Sequence, residues 1–247
     1  MSDLIEGRQP VLEALKAERP INKIQFAENI GRNDAILRII DLAKQHSVRI
    51  EYVKRSSLDQ LCSGRNHQGV IALTAAHEYA ELDDLLAAAS KKNELPFLVL
   101  LDGLEDPQNL GAIIRTADAA GAHGVVITKH RAVGLTAVVA KTSAGAIEHV
   151  PVARVNNLND CIRELKEKRV WVFGLDEKGE TNISKADFKL PLALVLGKEG
   201  AGLSRLVKEN CEMLVSIPIK GKVNSLNASV AAAVAMYEVV RQRQNLV

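Results

Sequence analysis

The chain predicts an α/β protein of two domains, residues 1–77 and 96–247, joined by a linker at 78–95 that holds one short helix. Three observations carry this. Beyond residue 96, six short apolar runs alternate with stretches of helical spacing, the pattern of a mainly parallel sheet covered by helices. Residues 1–77 hold a smaller alternation of the same kind, about half a typical domain in length. Between them, 78–95 carries five acids against two bases and is closed by a proline, which marks a boundary.

In the first domain, apolar residues from Leu4 to Leu15 recur at helical spacing, and Ile21 to Phe26 is strand-like. Asn33-Asp34 can cap a helix from Ala35 to His46, in which Ile36, Ile39, Ile40 and Ala43 form one apolar stripe. Val48 to Val53 alternates as a half-buried strand, Ser56-Ser57 opens a short helix, and Gly69 to Thr74 is a final apolar strand. Lys54, Arg55 and Arg65 stand at element ends beside His67, where they can meet phosphate or merely solvate a loop.

In the second domain the expected strands are Phe97–Asp102, Gly124–Thr128, Val150–Ala153, Val170–Leu175, Leu192–Leu196 and Leu214–Ile217. Helices are expected over Leu110–Ala120, Thr136–Ala144, Leu158–Lys168, a turn or two after Leu203, and Ala228 to about Arg243. Gly121 and Gly145 can end two of these as left-handed caps. The last helix is nearly free of polar residues until Glu238, so burial on most sides is expected.

A chain of 247 residues with 47% hydrophobic content can fill a proper core. Its net charge of +2 and pI near 8.4 are too small a bias to argue for nucleic acid by themselves. Aromatics at 3% count against a base-stacking sheet that reads single-stranded RNA. Cys62, Cys161 and Cys211 lie far apart and fit no metal or redox spacing, and the six histidines form no ligand pair, so no metal is expected. With no membrane-length apolar run and no signal-peptide core, the expected setting is the cytoplasm.

Three stretches carry the chemistry. In Leu214–Glu238 a strand ends at Pro218, which has no N–H to give a sheet. A basic loop, Lys220-Gly221-Lys222, follows it. Ser225, Asn227 and Ser229 then precede the last helix, where they can serve a ligand or simply cap. In residues 102–127 a strand runs into an acidic loop and a helix begins near Asn109; Arg115 faces away from the core-facing Ile113, Ile114 and Ala117, toward a ligand or toward water. In residues 191–204 an apolar strand delivers Gly197, Lys198, Glu199, Gly200 and Gly202, and glycines there allow close backbone approach. They match neither the dinucleotide fingerprint nor the P-loop, which excludes both; a nucleoside-like ligand held mainly by backbone groups suits them better.

The segments N-L-G-A-I-I-R (109–115), L-G-K-E-G-A-G (196–202) and I-P-I-K-G-K-V-N-S-L-N-A-S (217–229) resemble, in order, the three motifs of the SpoU (TrmH-like) family of RNA ribose 2′-O-methyltransferases. Residues 1–77, ending in N-H-Q-G-V-I-A, are similar to the small substrate-binding domain, related to ribosomal protein L30e, that precedes the catalytic domain in ribosomal-RNA members. The layout is closest to the RlmB group, which methylates a guanosine of 23S ribosomal RNA. The resemblance implies a C-terminal trefoil knot holding S-adenosylmethionine, and a homodimer through the catalytic domain. It implies catalytic roles for Asn109, Arg115, Glu199, Ser225 and Asn227. Leu196, Gly197, Gly202, Ile217, Pro218, Ile219 and Leu226 would hold the cofactor. Ile219 and Ala228 depart mildly from the family pattern, at positions where methionine and valine are common.

The family's proposed base is Arg115, but a guanidinium with a pKa above about 12 is rarely neutral at pH 7. We therefore expect Arg115 to grip the adjacent phosphate and stabilise the forming alkoxide, with the proton leaving late or through water. Rival readings are a non-catalytic ribosomal-RNA-binding protein, which would take up no cofactor, and a methyltransferase acting on another ribosomal or transfer RNA nucleotide. A Rossmann-type oxidoreductase fails for want of a fingerprint.

Overall fold

A computed structural model of the chain describes residues 3–19, 21–31, 33–62, 66–74, 78–222 and 225–244; Arg65 lies outside them. The elements begin β1 (Asp3–Glu6), α1 (Arg8–Lys16), β2 (Ile21–Ala27), α2 (Asp34–Gln45), β3 (Arg49–Val53), α3 (Arg55–Leu61) and β4 (Val70–Thr74). They continue through α4 (Leu82–Lys91), β5 (Phe97–Asp102), α5 (Pro107–Ala119), β6 (Gly124–Thr128), α6 (Ala137–Thr142), β7 (Val152–Val155) and α7 (Leu158–Glu167). The chain closes with β8 (Trp171–Leu175), β9 (Thr181–Asn182), β10 (Leu192–Gly197), α8 (Arg205–Asn210), β11 (Met213–Ser216) and α9 (Ala228–Arg243). Two compact units result: Met1–Glu78 with Leu135–His149, and Tyr79–Gly134 with Val150–Val247.

The first unit has a four-stranded sheet in the order β1-β4-β2-β3, with β2 and β3 parallel and β4 antiparallel to β1 and β2. Leu4 to Leu15 is not one helix. Ile5 enters the core from a strand, and Gly7, at φ 101°, turns the chain so that α1 starts at Arg8. Over three residues a helical and an extended apolar pattern cannot be told apart, and pairing with β4 decides. The expected cap of α2 is present, with Asn33 Oδ1 accepting from the Ile36 N–H at 3.0 Å.

The α6 helix, expected within the second domain, packs instead in this first unit beside β1. After it, Gly145 lies where a Cβ would meet the Glu13 side chain at 2.5 Å, and Arg19 pairs with Glu148 at 2.8 Å, both nearly buried. Burial raises the Glu148 carboxyl pKa and Arg19 offsets only part of that rise.

The second unit is a seven-stranded sheet in the order β7-β6-β5-β10-β8-β11-β9, and every pairing is parallel. The central strands β5 and β10 are almost unbroken apolar runs because both faces are covered by helices. On one face lies α4, the short helix expected within the acid-rich linker segment. Its Leu82, Leu85 and Ala89 are buried in the core, and Gly124 of β6 leaves the space that the Leu85 side chain fills. The acids are accounted for by the helix start: Glu81 and Asp84 form a capping box, and Asp83 and Asp84 sit in the first turn, where the helix dipole favours negative charge. Strand β9, two residues long, is too short to leave a pattern in the sequence.

On the other face α5 and α9 pack together. The α9 helix is buried along Ala232, Ala235, Met236 and Val239, yet Val230, Val234 and Tyr237 are 48%, 42% and 52% exposed. Burial on most sides therefore does not hold within one chain: a helix apolar all round carries no mark of which side meets the sheet. The end of α9 is pinned by Arg243, whose guanidinium donates to the carbonyls of Leu95 (2.8 Å), Pro96 (3.0 Å), Phe188 (3.1 Å) and Leu190 (2.6 Å) and lies over the Phe97 ring. Burial lowers its pKa to about 10, so it stays charged at neutral pH. Replacing Arg243 by Met removes a donor from four carbonyls, of which only Pro96 keeps another among the described residues, the Leu192 N–H at 2.9 Å, and is expected to cost the second unit about 3 kcal/mol, read as a shift of its unfolding midpoint in urea.

Cys161 and Cys211 are free thiols of this unit, and burial pushes both up to about 12, so neither is a nucleophile at neutral pH. Among the described residues no helix is long and apolar enough to cross a membrane, and no group of three His, Cys, Asp or Glu side chains could hold a metal ion.

Candidate active site

Sheet order places the site. After β5 the chain turns to β6 and β7 on one side, whereas β10 is flanked by β8 and β11 on the other, so the loops leaving β5 and β10 diverge. In a parallel sheet this divergence at the carboxyl ends opens a crevice. The loop after β10 folds sharply back, with the Gly202 N–H donating to the Lys198 carbonyl at 2.8 Å. Gly197 makes that possible: a Cβ there would stand 2.1 Å from the Gly202 carbonyl carbon. Gly200 and Gly202, at φ 72° and 66°, take the left-handed turns a side chain would resist. Asp102, at the end of β5, accepts from the Ser204 N–H at 2.7 Å and ties the returning loop to the neighbouring strand.

Across this crevice three side chains close a ring. Asp106 caps α5 by accepting from the N–H groups of Gln108 and Asn109, and Pro107 fits the first helical position. So fixed, Asn109 is 7% exposed, and its Nδ2 donates to Glu199 Oε1. Asn227 caps α9 with its Oδ1, accepting from the N–H groups of Ser229 (2.9 Å) and Val230 (3.4 Å). Its Nδ2 is thereby left to donate to Glu199 Oε1 at 3.1 Å and to Asn109 Oδ1 at 3.2 Å. One carboxylate oxygen thus takes two N–H donors, and Glu199 Oε2 has no hydrogen bond to the described residues. Cap and site residue are the same asparagine, because an amide has both an acceptor and a donor end.

Beside the ring lies a cavity of about 460 Å³, within the size range that holds a nucleoside-sized ligand. Of the residues singled out in the sequence, Leu196, Gly197, Glu199, Gly202, Ile217, Ile219, Ser225 and Leu226 line it; Pro218 does not, although both its neighbours do. Asn109 and Asn227 reach it only through Glu199. Arg115 is not brought in. It is exposed on α5, almost two turns beyond Asn109, does not line the cavity, and has no hydrogen bond or ion pair with the described residues.

Four charged residues of the rim, Asp176, Glu177, Lys178 and Lys208, escaped the reading of the sequence. Asp176 accepts from Lys208 Nζ at 2.6 Å and from the Lys178 N–H at 2.9 Å. Burial raises its pKa, but the bonds from Lys208 and the Lys178 backbone outweigh it, and the carboxyl is held below its ordinary value. Its signal was a carboxylate directly after a parallel strand, β8. The chamber therefore combines apolar walls, exposed backbone at a glycine loop and a charged rim, which suits a nucleoside carrying a charged tail.

Residues 96–237 match the profile of the SpoU rRNA Methylase family, and residues 4–80 match that described as RNA 2'-O ribose methyltransferase substrate binding. A Bacillus subtilis chain named YacO, placed in the TrmH family of tRNA/rRNA methyltransferases, is 55% identical over 241 residues, covering 98% of this chain and 96% of its own. The crystal structure of the SpoU methyltransferase AviRb from Streptomyces viridochromogenes, in complex with AdoMet, is similar at a TM-score of 0.82 and 28% identity, over 98% of this chain and 91% of that one. An AdoMet-bound rRNA methyltransferase from Sinorhizobium meliloti is similar at a TM-score of 0.79 and 25% identity, over 100% and 88%.

Proposed function

Because the chain belongs to the SpoU family of RNA methyltransferases, we propose that it methylates the ribose 2′-hydroxyl of a guanosine in 23S ribosomal RNA, in the cytoplasm and with S-adenosylmethionine as cofactor. The observation that carries the chemistry is the Asn109–Glu199–Asn227 ring at the mouth of the β5/β10 crevice. Leu196, Gly197, Gly202, Ile217, Ile219 and Leu226 hold the cofactor, with Pro218 setting the turn between two of them. When bound, S-adenosylmethionine supplies an electrophilic methyl group on a sulfonium. We take the chain after β11 to be threaded into a trefoil knot around it.

The residues of the chain do the aligning. Glu199, held by two amides through Oε1, keeps Oε2 to accept from the ribose hydroxyl, and Ser225 stands beside it at the cavity wall. Alignment of the attacking oxygen with the methyl carbon is the main requirement. Arg115 meets the phosphate next to that ribose and stabilises the oxygen as its proton leaves to water.

Since Arg115 is exposed in its own chain, the active form is a homodimer in which Arg115 reaches the partner's ring. The exposed Val230, Val234 and Tyr237 stripe on α9, packed beside α5, supports such a contact. The name borne by the Bacillus subtilis relative spans both transfer and ribosomal RNA, so the test must read both. Mapping 2′-O-methyl marks across total RNA from cells with and without the chain should show a single guanosine of the large-subunit RNA losing its mark. A lost mark in transfer RNA would move the substrate there, and an unchanged map would reject the reading.

A further inference from the structure

The first unit holds a second cavity, of about 300 Å³, between the start of α1, the loop after β2, the start of α3 and the turn before β4. Three cations line it, Arg8, Lys54 and Arg55, against a single carboxylate, Glu28. None of the three cations pairs with an acid among the described residues. Arg8 is moreover the first residue of α1, a helix with no acid in its opening turn, and a cation there works against the helix dipole. Such a placement costs stability unless an anion occupies the cavity.

The walls are built to hold that arrangement. The Arg8 N–H donates to Gln68 Oε1 at 3.1 Å and its Nε to the Gln68 carbonyl at 3.3 Å, which leaves the outer guanidinium nitrogens to face the cavity. Behind Gln68, buried His67 takes the Gly69 N–H on Nδ1 at 3.0 Å and meets Asp59 through Nε2 at 2.9 Å, fixing the turn. Gly69, at φ 83°, lies so close to Ile30 that a Cβ would come within 2.9 Å of its Cδ1. The peptide N–H groups of Asn29 and Gly31, which also line the cavity, donate to no described residue.

We propose that this cavity is a phosphodiester-binding site that grips the backbone of the substrate RNA, with Arg8, Lys54 and Arg55 as its cations. It rests on the reading of the chain as an RNA methyltransferase and assigns part of substrate affinity to particular side chains remote in sequence from the methyl-transfer motifs. Contacts of this type give affinity without sequence choice and make it fall with salt.

The experiment compares the full chain with the Arg8→Ala, Lys54→Ala, Arg55→Ala triple variant. It measures retention of total RNA from cells lacking the chain across a salt series, and KM and kcat for methyl transfer to that RNA. We expect RNA affinity at 0.1 M salt to fall at least 10-fold and the log–log salt slope to become shallower by about 2–3. KM for RNA should rise while kcat at saturating RNA and cofactor affinity stay unchanged. Should the Arg8 change lower the melting temperature, Lys54→Gln with Arg55→Gln carries the same prediction with a slope change of about 2.

An unchanged salt slope and KM overturn the proposal. So does inorganic phosphate that protects the cavity thermally while RNA retention ignores all three substitutions, since the cavity would then serve a free anion. Retention is read without cofactor, so a wild-type chain that transfers no methyl group sinks the enzymatic reading separately from this one.

Discussion

Arg115→Ala is expected to lower kcat for methyl transfer by about 10²–10³-fold or more while cofactor affinity, measured by calorimetry, stays within about twofold. The reason is positional. Arg115 lies outside the cavity proposed for the cofactor and has no hydrogen bond or ion pair with the described residues, so its removal disturbs neither cavity nor packing. Loss of cofactor affinity in step with activity would give Arg115 a structural role instead.

A mixing experiment then locates the arginine. Neither Arg115→Ala nor Asn227→Ala should be active alone. Mixed in equal amounts and allowed to exchange subunits, they should recover about a quarter of the wild-type rate, because half the dimers are mixed and each of those holds one intact site. No recovery, with exchange verified, would mean that arginine and ring act within one chain.

The second large effect is expected at Gly197. An added methyl would sit 2.1 Å from the Gly202 carbonyl carbon and 2.4 Å from the Leu203 nitrogen, and both are backbone atoms with no rotamer to relieve the contact. The 198–202 loop must then open, at a cost of about 3 kcal/mol or more, and Glu199 leaves its two amides. Gly197→Ala should weaken S-adenosylmethionine at least 100-fold by titration, with the sheet still folded by circular dichroism. Wild-type cofactor affinity in this variant would show that the loop does not form the cofactor site.

Much of this was legible in the sequence because it depends on local pattern. Strands β5 and β10 read as buried parallel strands since burial on both faces leaves no polar positions in them. The asparagine ahead of α9 and the glycines after β10 announced themselves by chemistry that only caps and tight turns require. Illegible were features whose cause lies elsewhere in the chain. The short helix expected within 78–95 is α4, but that its Leu85 packs over Gly124 of β6 could not be read locally, because a helix start and a solvated connector share an acidic composition. The α6 helix sits in one stretch of sequence and packs in another unit, which no window along the chain can reveal.

The sequence by itself determined which residues can do the chemistry: two amides, a carboxylate and glycines in the order of three known motifs, enough to name a family. Only the tertiary structure decided that Asn109, Glu199 and Asn227, separated by up to 118 residues, share one hydrogen-bonded ring, and that Arg115 stands apart from it. The physical reason is that a motif specifies local conformation, whereas the order of strands in a sheet is set by which apolar faces bury one another across the whole chain. The crevice between β5 and β10 exists only once that order is chosen.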